Sequence, residues 1–340
     1  MTEWNWPGMP FVKVLRYHEV SSLPLGSRLL MNELTLSRRE FGVLLAGAAT
    51  SAALANQASA ANDDTFQLRY IVASCMYGKA PLSEILPEVR KTGADYIEIW
   101  AERHGNQREQ IEELGVDQTH KLLDENDVKL GSFTCFKFGI LNMQDEMQLV
   151  KQLGGDMVIC NTGGPKDLTG DELKRAVQEF AEKLKPHVEV AEDLGITIGI
   201  ENHSGGLISS PESQLLIIEA ISSDRLGIAM APYHLPQEAD IISGLIRNLG
   251  DRLVHFQAWE HGMGCMTKLP KEQELMQLPH RGPLDWVPIL AALKDINYQG
   301  RTEIFMHPVP RGIPILDTTA EVTAEINAAR AYLSDCLTKV

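Results

Sequence analysis

The sequence predicts a single closed (β/α)8 barrel over residues 61–340. From Gln67 onward, short apolar runs alternate strictly with amphipathic stretches, the pattern of a parallel sheet crossed by helices. Most runs are continuously apolar, as strands covered on both faces must be. Eight such units fill about 280 residues at about 35 each, a fitting size for a closed barrel. An open doubly wound sheet has less support, because no G-x-G-x-x-G follows the first run.

The strands are expected at Leu68–Ala73, Tyr96–Trp100, Lys129–Thr134, Met157–Asn161, Thr197–Glu201, Leu226–Met230, Leu253–Gln257 and Thr302–Met306. Helical patterns fall between them, among others at Pro81–Thr92, Gln144–Leu153, Asp171–Leu194, Pro211–Ile221, Ala239–Leu249, Asp285–Ile296 and Thr319–Leu337. Ser210-Pro211-Glu212 reads as an N-cap followed by proline in the first helical turn. Gly93, Gly154, Gly195 and Gly250 each follow a helical pattern, where a glycine C-cap belongs.

The chain has 340 residues, 44% of them hydrophobic and 23% charged, which excludes disordered, collagen-like and multi-span membrane classes. The formal net charge of −15 repels phosphate backbones and argues against nucleic-acid partners. The five cysteines are scattered, lack C-x-x-C spacing and do not form a disulfide framework. Ser37-Arg38-Arg39-Glu40-Phe41, an apolar stretch from Gly42 to Ala55 and the small-residue site Ala58-Ser59-Ala60 resemble a twin-arginine export signal over residues 31–60. The expected partner is the twin-arginine export machinery, with no stable membrane insertion and an extracytoplasmic or periplasmic destination. Residues 1–30 have no clear pattern and read as a spurious extension, with the start expected at Met31.

Barrel chemistry sits at the C-terminal ends of the strands. There the sequence places Glu102-Arg103-His104 after strand 2, Cys135-Phe136-Lys137 after strand 3 and Glu201-Asn202-His203 after strand 5. Tyr233-His234 follows strand 6, Gln257 and Trp259-Glu260-His261 follow strand 7, and Glu303, His307 and Arg311 belong to strand 8 and its loop. Polar groups ending consecutive apolar strands are costly unless they are partnered, so their convergence favours a site. Each has a plainer reading. Glu201 and Glu303 fit rim ion pairs, Lys137 a solvated rim lysine, His255 a core histidine, and His307–Gly312 a proline-stiffened loop.

Ile198-Gly199-Ile200-Glu201-Asn202-His203, Pro232-Tyr233-His234, Gly282-Pro283-Leu284-Asp285-Trp286 and Tyr298-Gln299-Gly300-Arg301-Thr302-Glu303 resemble the xylose-isomerase-like TIM-barrel superfamily, over about residues 67–337. That group holds sugar isomerases, ketose epimerases, inosose dehydratase-like enzymes and apurinic endonucleases. The resemblance implies a divalent metal held by a Glu after strand 5, an Asp in D-x-x-H after strand 6, a His ending strand 7 and a Glu on strand 8. Glu201, His234 and Glu303 match, whereas Ala231 stands at the Asp position and Gln257 at the strand-7 His position.

Three readings stay open. One divalent ion, with Mn²⁺, Mg²⁺ or Ca²⁺ favoured over Zn²⁺, binds through Glu201, His234, Gln257 and Glu303. Alternatively His255, two residues before Gln257, supplies a nitrogen. In the third reading the metal is lost and the barrel only binds carbohydrate. The resemblance further implies a sugar isomerase or epimerase in which Glu201 and Glu303 move a proton next to a carbonyl. His203, His234, Lys137, Trp259, His307 and Arg311 would contact a small sugar or glycoside. Elimination from a keto-glycoside is the runner-up, and self-association as a homo-oligomer is left open. Both the net charge and the ligand set oppose an endonuclease.

Overall fold

The computed structural model describes residues 66–340. The export signal expected over 31–60, and residues 1–30 before it, lie outside the described residues. Eight parallel strands close into one barrel in chain order: β1 (Arg69–Ala73), β2 (Tyr96–Trp100), β3 (Lys129–Thr134), β4 (Met157–Cys160), β5 (Thr197–Glu201), β6 (Leu226–Met230), β7 (Leu253–Ala258) and β8 (Arg301–Ile304). β8 returns to β1 with Ile71 opposite Glu303, so no sheet edge is left open. Among the described residues, no helix is long and apolar enough to cross a membrane.

Local signals explain most boundaries. Ser210 caps the helix Pro211–Ala220, its side chain accepting from Ser213 N at 3.2 Å. Gly93, Gly154, Gly195 and Gly250 all adopt positive φ just past helix ends. Between β2 and β3 lie two helices, Gln107–Leu114 and Val116–Glu125, that the periodicity does not single out. Gly115, at φ 76°, separates them: its N–H bonds Ile111 O, while its carbonyl accepts from Thr119 N. The last strand ends at Ile304 rather than Met306. Beyond Ala258↔Ile304, its ladder with β7 keeps only a long 3.4 Å bond from Phe305 N to Ala258 O.

The barrel interior is divided by chemistry. On one side Met157, Ile159 and Ala229 form an apolar cluster. Gly199 makes room there, because a Cβ would stand 3.3 Å from both Ala229 Cβ and Ile159 Cγ1. On the other side β2, β3, β7 and β8 send in Glu98, Thr134, His255 and Glu303, all buried. Near the N-terminal end Arg301 bonds both oxygens of Asp156 at 2.6 Å and lies 4.2 Å from the Tyr96 ring centre. This charged plug closes the bottom of the barrel, and the top opens into a cleft.

Candidate active site and metal centre

A cleft of about 570 Å³ opens at the C-terminal ends of the strands. Its floor is aromatic. Trp100 and Phe305 stack at 5.4 Å, and Trp259 meets Phe305 edge-on at 4.9 Å. Tyr233 stacks on Trp259 at 4.0 Å, and His261 stacks on Tyr233 at 4.9 Å. His203 and His234 lie 4.4 Å apart on one wall, and buried His307 stacks on His104 at 4.7 Å.

Six of the residues nominated from sequence, Glu201, His203, His234, Trp259, His307 and Arg311, line this one cleft. Lys137 does not. Its ammonium is exposed and bonds Glu109 at 2.8 Å, and Glu109 in turn accepts from Glu102 N just past β2. Gln257 and Glu303 are fully buried and lie two residues down their strands from Trp259 and Phe305, beneath the aromatic floor.

The loops are held by buried polar clamps. The Asn202 amide donates to Ala231 O at 3.1 Å and accepts from Ala231 N at 2.7 Å, tying the end of β5 to the end of β6. Gln277 accepts from the Trp259 indole and from His307 N, both at 2.9 Å, and donates to His307 O at 3.1 Å. Glu260 accepts from Leu284 N at 2.8 Å and from the Trp286 indole at 3.1 Å. Burial pushes the Glu260 carboxyl up to about 7, against those two donors. Neither Gln277 nor Glu260 was singled out as chemistry from sequence, because their roles depend on loops brought together from distant stretches.

On the cleft wall Glu201 Oε1 lies 3.5 Å from His234 Nε2, and both side chains are nearly inaccessible. Glu201 Oε2 and both His234 nitrogens have no hydrogen-bond partner. Burial, followed by the Arg311 charge, holds His104 down to about 4. Burial and Arg311 also lower His307 well below the usual histidine range, and burial lowers His203. These three rings are therefore neutral at physiological pH, each able to donate at one nitrogen and accept at the other.

Beneath the floor Glu98, His255 and Glu303 each turn one potential ligand atom to a common point. His255 Nε2 stands 3.5 Å from Glu98 Oε2 and 3.5 Å from Glu303 Oε2. All three residues are fully buried. Glu98 Oε1 accepts from Thr134 Oγ1, whereas Glu98 Oε2, both Glu303 oxygens and both His255 nitrogens have no partner. A separation of 3.5 Å is too long for an N–H···O bond, which spans about 2.7–3.2 Å. It is close to the roughly 3.4 Å between two ligands bonded at about 2.1 Å around a tetrahedral ion. Burial, with the charge of Glu303, pushes Glu98 up to about 8. Burial, with Glu201, pushes Glu303 up strongly, and burial lowers His255. Two unsolvated carboxyls facing an imidazole without closed hydrogen bonds fit a divalent cation, whose charge would offset theirs.

Gln257, opposite Glu303 in the ladder, is fully buried with neither amide atom partnered. Glu98 belongs to this cluster although its strand gives no rim position for it. Its signal was present: a lone carboxylate in the middle of the apolar run Tyr-Ile-Glu-Ile-Trp.

The fold and this site define a (β/α)8-barrel protein whose upper face carries a carboxylate- and histidine-lined cleft over a buried cluster of Glu98, His255 and Glu303. Residues 86–325 match the xylose isomerase-like TIM barrel family, and the chain belongs to that family. It is similar to the D-psicose 3-epimerase of Enterocloster bolteae, 30% identical over 137 residues, or 39% of this chain and 40% of that one. It is also similar to the D-psicose 3-epimerase of Ruminiclostridium cellulolyticum, 28% identical over 43% of this chain and 44% of that one. The matched stretches thus span less than half the length of these relatives. Among solved structures, the IOLI protein with a bound zinc atom superposes with TM-score 0.62 at 16% identity, over 80% of this chain and 99% of that one. A D-psicose 3-epimerase crystallised with D-fructose gives 0.60 at 17% identity, over 79% and 99%. At these identities the superpositions speak for the fold alone.

Proposed function

We propose that this protein is a sugar isomerase or epimerase that shifts a proton at a carbon next to a carbonyl. The observation that carries the reading is Glu201: a buried carboxylate on the cleft wall, with one oxygen unpartnered and the His234 imidazole 3.5 Å from the other. Glu201 is placed to take the proton and His234 to exchange one with a substrate oxygen. The neutral rings of His203 and His307 bond hydroxyls without adding charge. The similarity to two D-psicose 3-epimerases supports this reaction class.

Glu98, His255 and Glu303 would hold the divalent metal, with one nitrogen and two carboxylate oxygens, a set that suits Mn²⁺ and Zn²⁺ better than the oxygen-only preferences of Mg²⁺ and Ca²⁺. When bound, such an ion supplies fixed positive charge below the cleft, favouring ionised carboxylates and a developing enediolate. Glu303 then serves as a ligand, and the proton chemistry falls to Glu201 and His234.

The test is incubation with a panel of ketoses and aldoses in D₂O. Deuterium is expected at the carbon adjacent to the carbonyl. Glu201→Gln should stay folded and lose turnover by about 10²-fold or more. Turnover without solvent exchange, or a fully active Glu201→Gln, would sink the reading. A cleft of about 570 Å³ also has room for a glycoside, so elimination from a keto-glycoside by the same Glu201 is the second reading, and release of the aglycone would reveal it.

The reading places this chemistry outside the cytoplasm, on the strength of the Arg38-Arg39 signal pattern. Changing both arginines to lysine should retain the precursor inside the cell, detected by fractionation; unaffected export would remove the twin-arginine assignment.

A further inference from the structure

We propose that the substrate of this cleft carries a carboxylate, seated on the guanidinium of Arg311, so that the natural ligand is a sugar acid rather than a neutral sugar. The inference rests on the isomerase reading for its chemistry, but on separate observations for its charge.

Arg311 lines the cleft and is half-buried. Its NH1 donates to the carbonyls of Cys265, at 3.1 Å, and Pro308, and its NH2 to the Cys265 sulfur at 3.4 Å. Every one of these acceptors is neutral, and the sulfur is a weak one. The remaining donor, Nε, has no acceptor among the described residues.

Three other partly buried arginines make fuller use of their donors. Arg301 grips Asp156 through two 2.6 Å bonds, and Arg108 grips Glu146 at 2.6 and 2.8 Å. Arg252 has no carboxylate but directs Nε, NH1 and NH2 at three backbone carbonyls, so its role is to tie loops. Arg311 does neither completely. Two carbonyls hold one corner of its fork, and the Nε–NH2 edge keeps only a sulfur.

The rest of the cleft does not neutralise this charge. Among the described residues no carboxylate lies within 4.0 Å of Arg311. Glu201, the carboxylate on the cleft wall, faces His234 instead. The Nε–NH2 edge is the one that takes a carboxylate in two parallel bonds, and this bidentate fit is what distinguishes arginine from lysine. A phosphate would call for further cations or a cluster of backbone N–H groups, and the cleft wall adds only the exposed Lys166. A planar carboxylate on an otherwise hydroxylated chain matches one charged fork among neutral imidazoles.

The experiment is calorimetric titration of the metal-loaded protein with pairs that differ in the acid group: D-glucuronate against D-glucose, and 2-keto-D-gluconate against D-fructose. D-Fructose 6-phosphate forms a third arm. The acid of at least one pair should bind about 10-fold or more tighter than its neutral partner, the scale of a charge-assisted bidentate contact. Arg311→Gln should erase that advantage, and Arg311→Lys should keep only part of it. Equal binding of acid and neutral sugar, a preference that survives in Arg311→Gln, or a preference for the phosphate would each overturn the proposal. The wild-type comparison decides the matter even where Arg311→Gln fails to fold. The two readings separate cleanly. Arg311-dependent acid binding with no deuterium exchange on any sugar sinks the isomerase and leaves the acid site. Exchange on neutral ketoses with no acid preference does the reverse.

Discussion

Glu98 stands in the middle of β2 with one oxygen held by Thr134 and the other 3.5 Å from His255. A glutamate there is unfavourable by itself, since desolvation penalises its charge and Glu303 repels it. Two expectations follow from opposite signs. Without metal, burial and Glu303 hold Glu98 up to about 8, so it is largely protonated at neutral pH; Glu98→Gln puts a neutral side chain of the same shape in its place, and the melting temperature should hold steady or rise. With Mn²⁺ or Zn²⁺, the wild type should gain stability, and Glu98→Gln should lose most of that gain, with affinity falling about 10-fold or more. Differential scanning calorimetry on chelator-treated protein, with and without added ion, reads both. A variant that responds to metal like the wild type would show that the triad is only a packing feature. Ala231 gives a second test at this scale. It is fully buried, with its N–H and carbonyl clamped by Asn202. Ala231→Asp should therefore destabilise the metal-free fold by overpacking and unpaired charge, on the order of 1–3 kcal/mol. Urea titration measures it.

At the scale of elements, the loops after β7 and β8 are one unit because Gln277 bonds both. Gln277→Leu would orphan the Trp259 indole and His307 N, at a cost of roughly 2 kcal/mol or more. It should also loosen the cleft, raising KM more than it lowers kcat. Glu260 next door introduces a pH dependence. Its folded-state value of about 7 lies above the unfolded value, so the fold binds the extra proton between about pH 4.5 and 7. The contribution is present in full below the unfolded value and is lost as pH rises through the folded one. The loss is on the order of 3 kcal/mol. The stability gap between wild type and Glu260→Gln should therefore move against the wild type from pH 5 to pH 8, as followed by urea melts. A gap independent of pH would show that the carboxyl is not buried as described.

The barrel joins a plugged bottom, a half-apolar interior and an aromatic floor that separates the buried Glu98–His255–Glu303 cluster from the cleft. An ion at the triad would act on the fold as a ligand bound only by the native state. At 100 times its Kd it stabilises by about 2.7 kcal/mol, enough to raise Tm by several degrees in a domain of this size. Chelator should reverse the rise. If no divalent ion below the millimolar range changes Tm, the barrel is a metal-free one, and carbohydrate binding without turnover becomes the better account of it.

The eight βα units were legible because period and punctuation are local. Continuous apolar runs mark strands buried on both faces, and Gly93, Gly154, Gly195 and Gly250 end helices wherever positive φ is needed. Glu201, His203, His234, Trp259, His307 and Arg311 were legible for a related reason: a closed parallel barrel brings all its strand ends to one rim, so position along a strand implies position in the site. Layer and partner were not legible. That Glu303, opposite Gln257 in the ladder, also turns an oxygen to His255 within reach of Glu98 depends on strand stagger. The irregularities at Ile97/Glu98 and Ile228/Ala229 adjust that stagger. Lys137 pairs with Glu109 rather than facing the cleft for the same kind of reason, since the path of a loop is set by what it packs against. The sequence by itself determined the barrel and the residues at its rim, because both follow from spacing along one chain. Only the tertiary structure decided which buried groups face one another, because that depends on the relative shift of strands far apart in sequence.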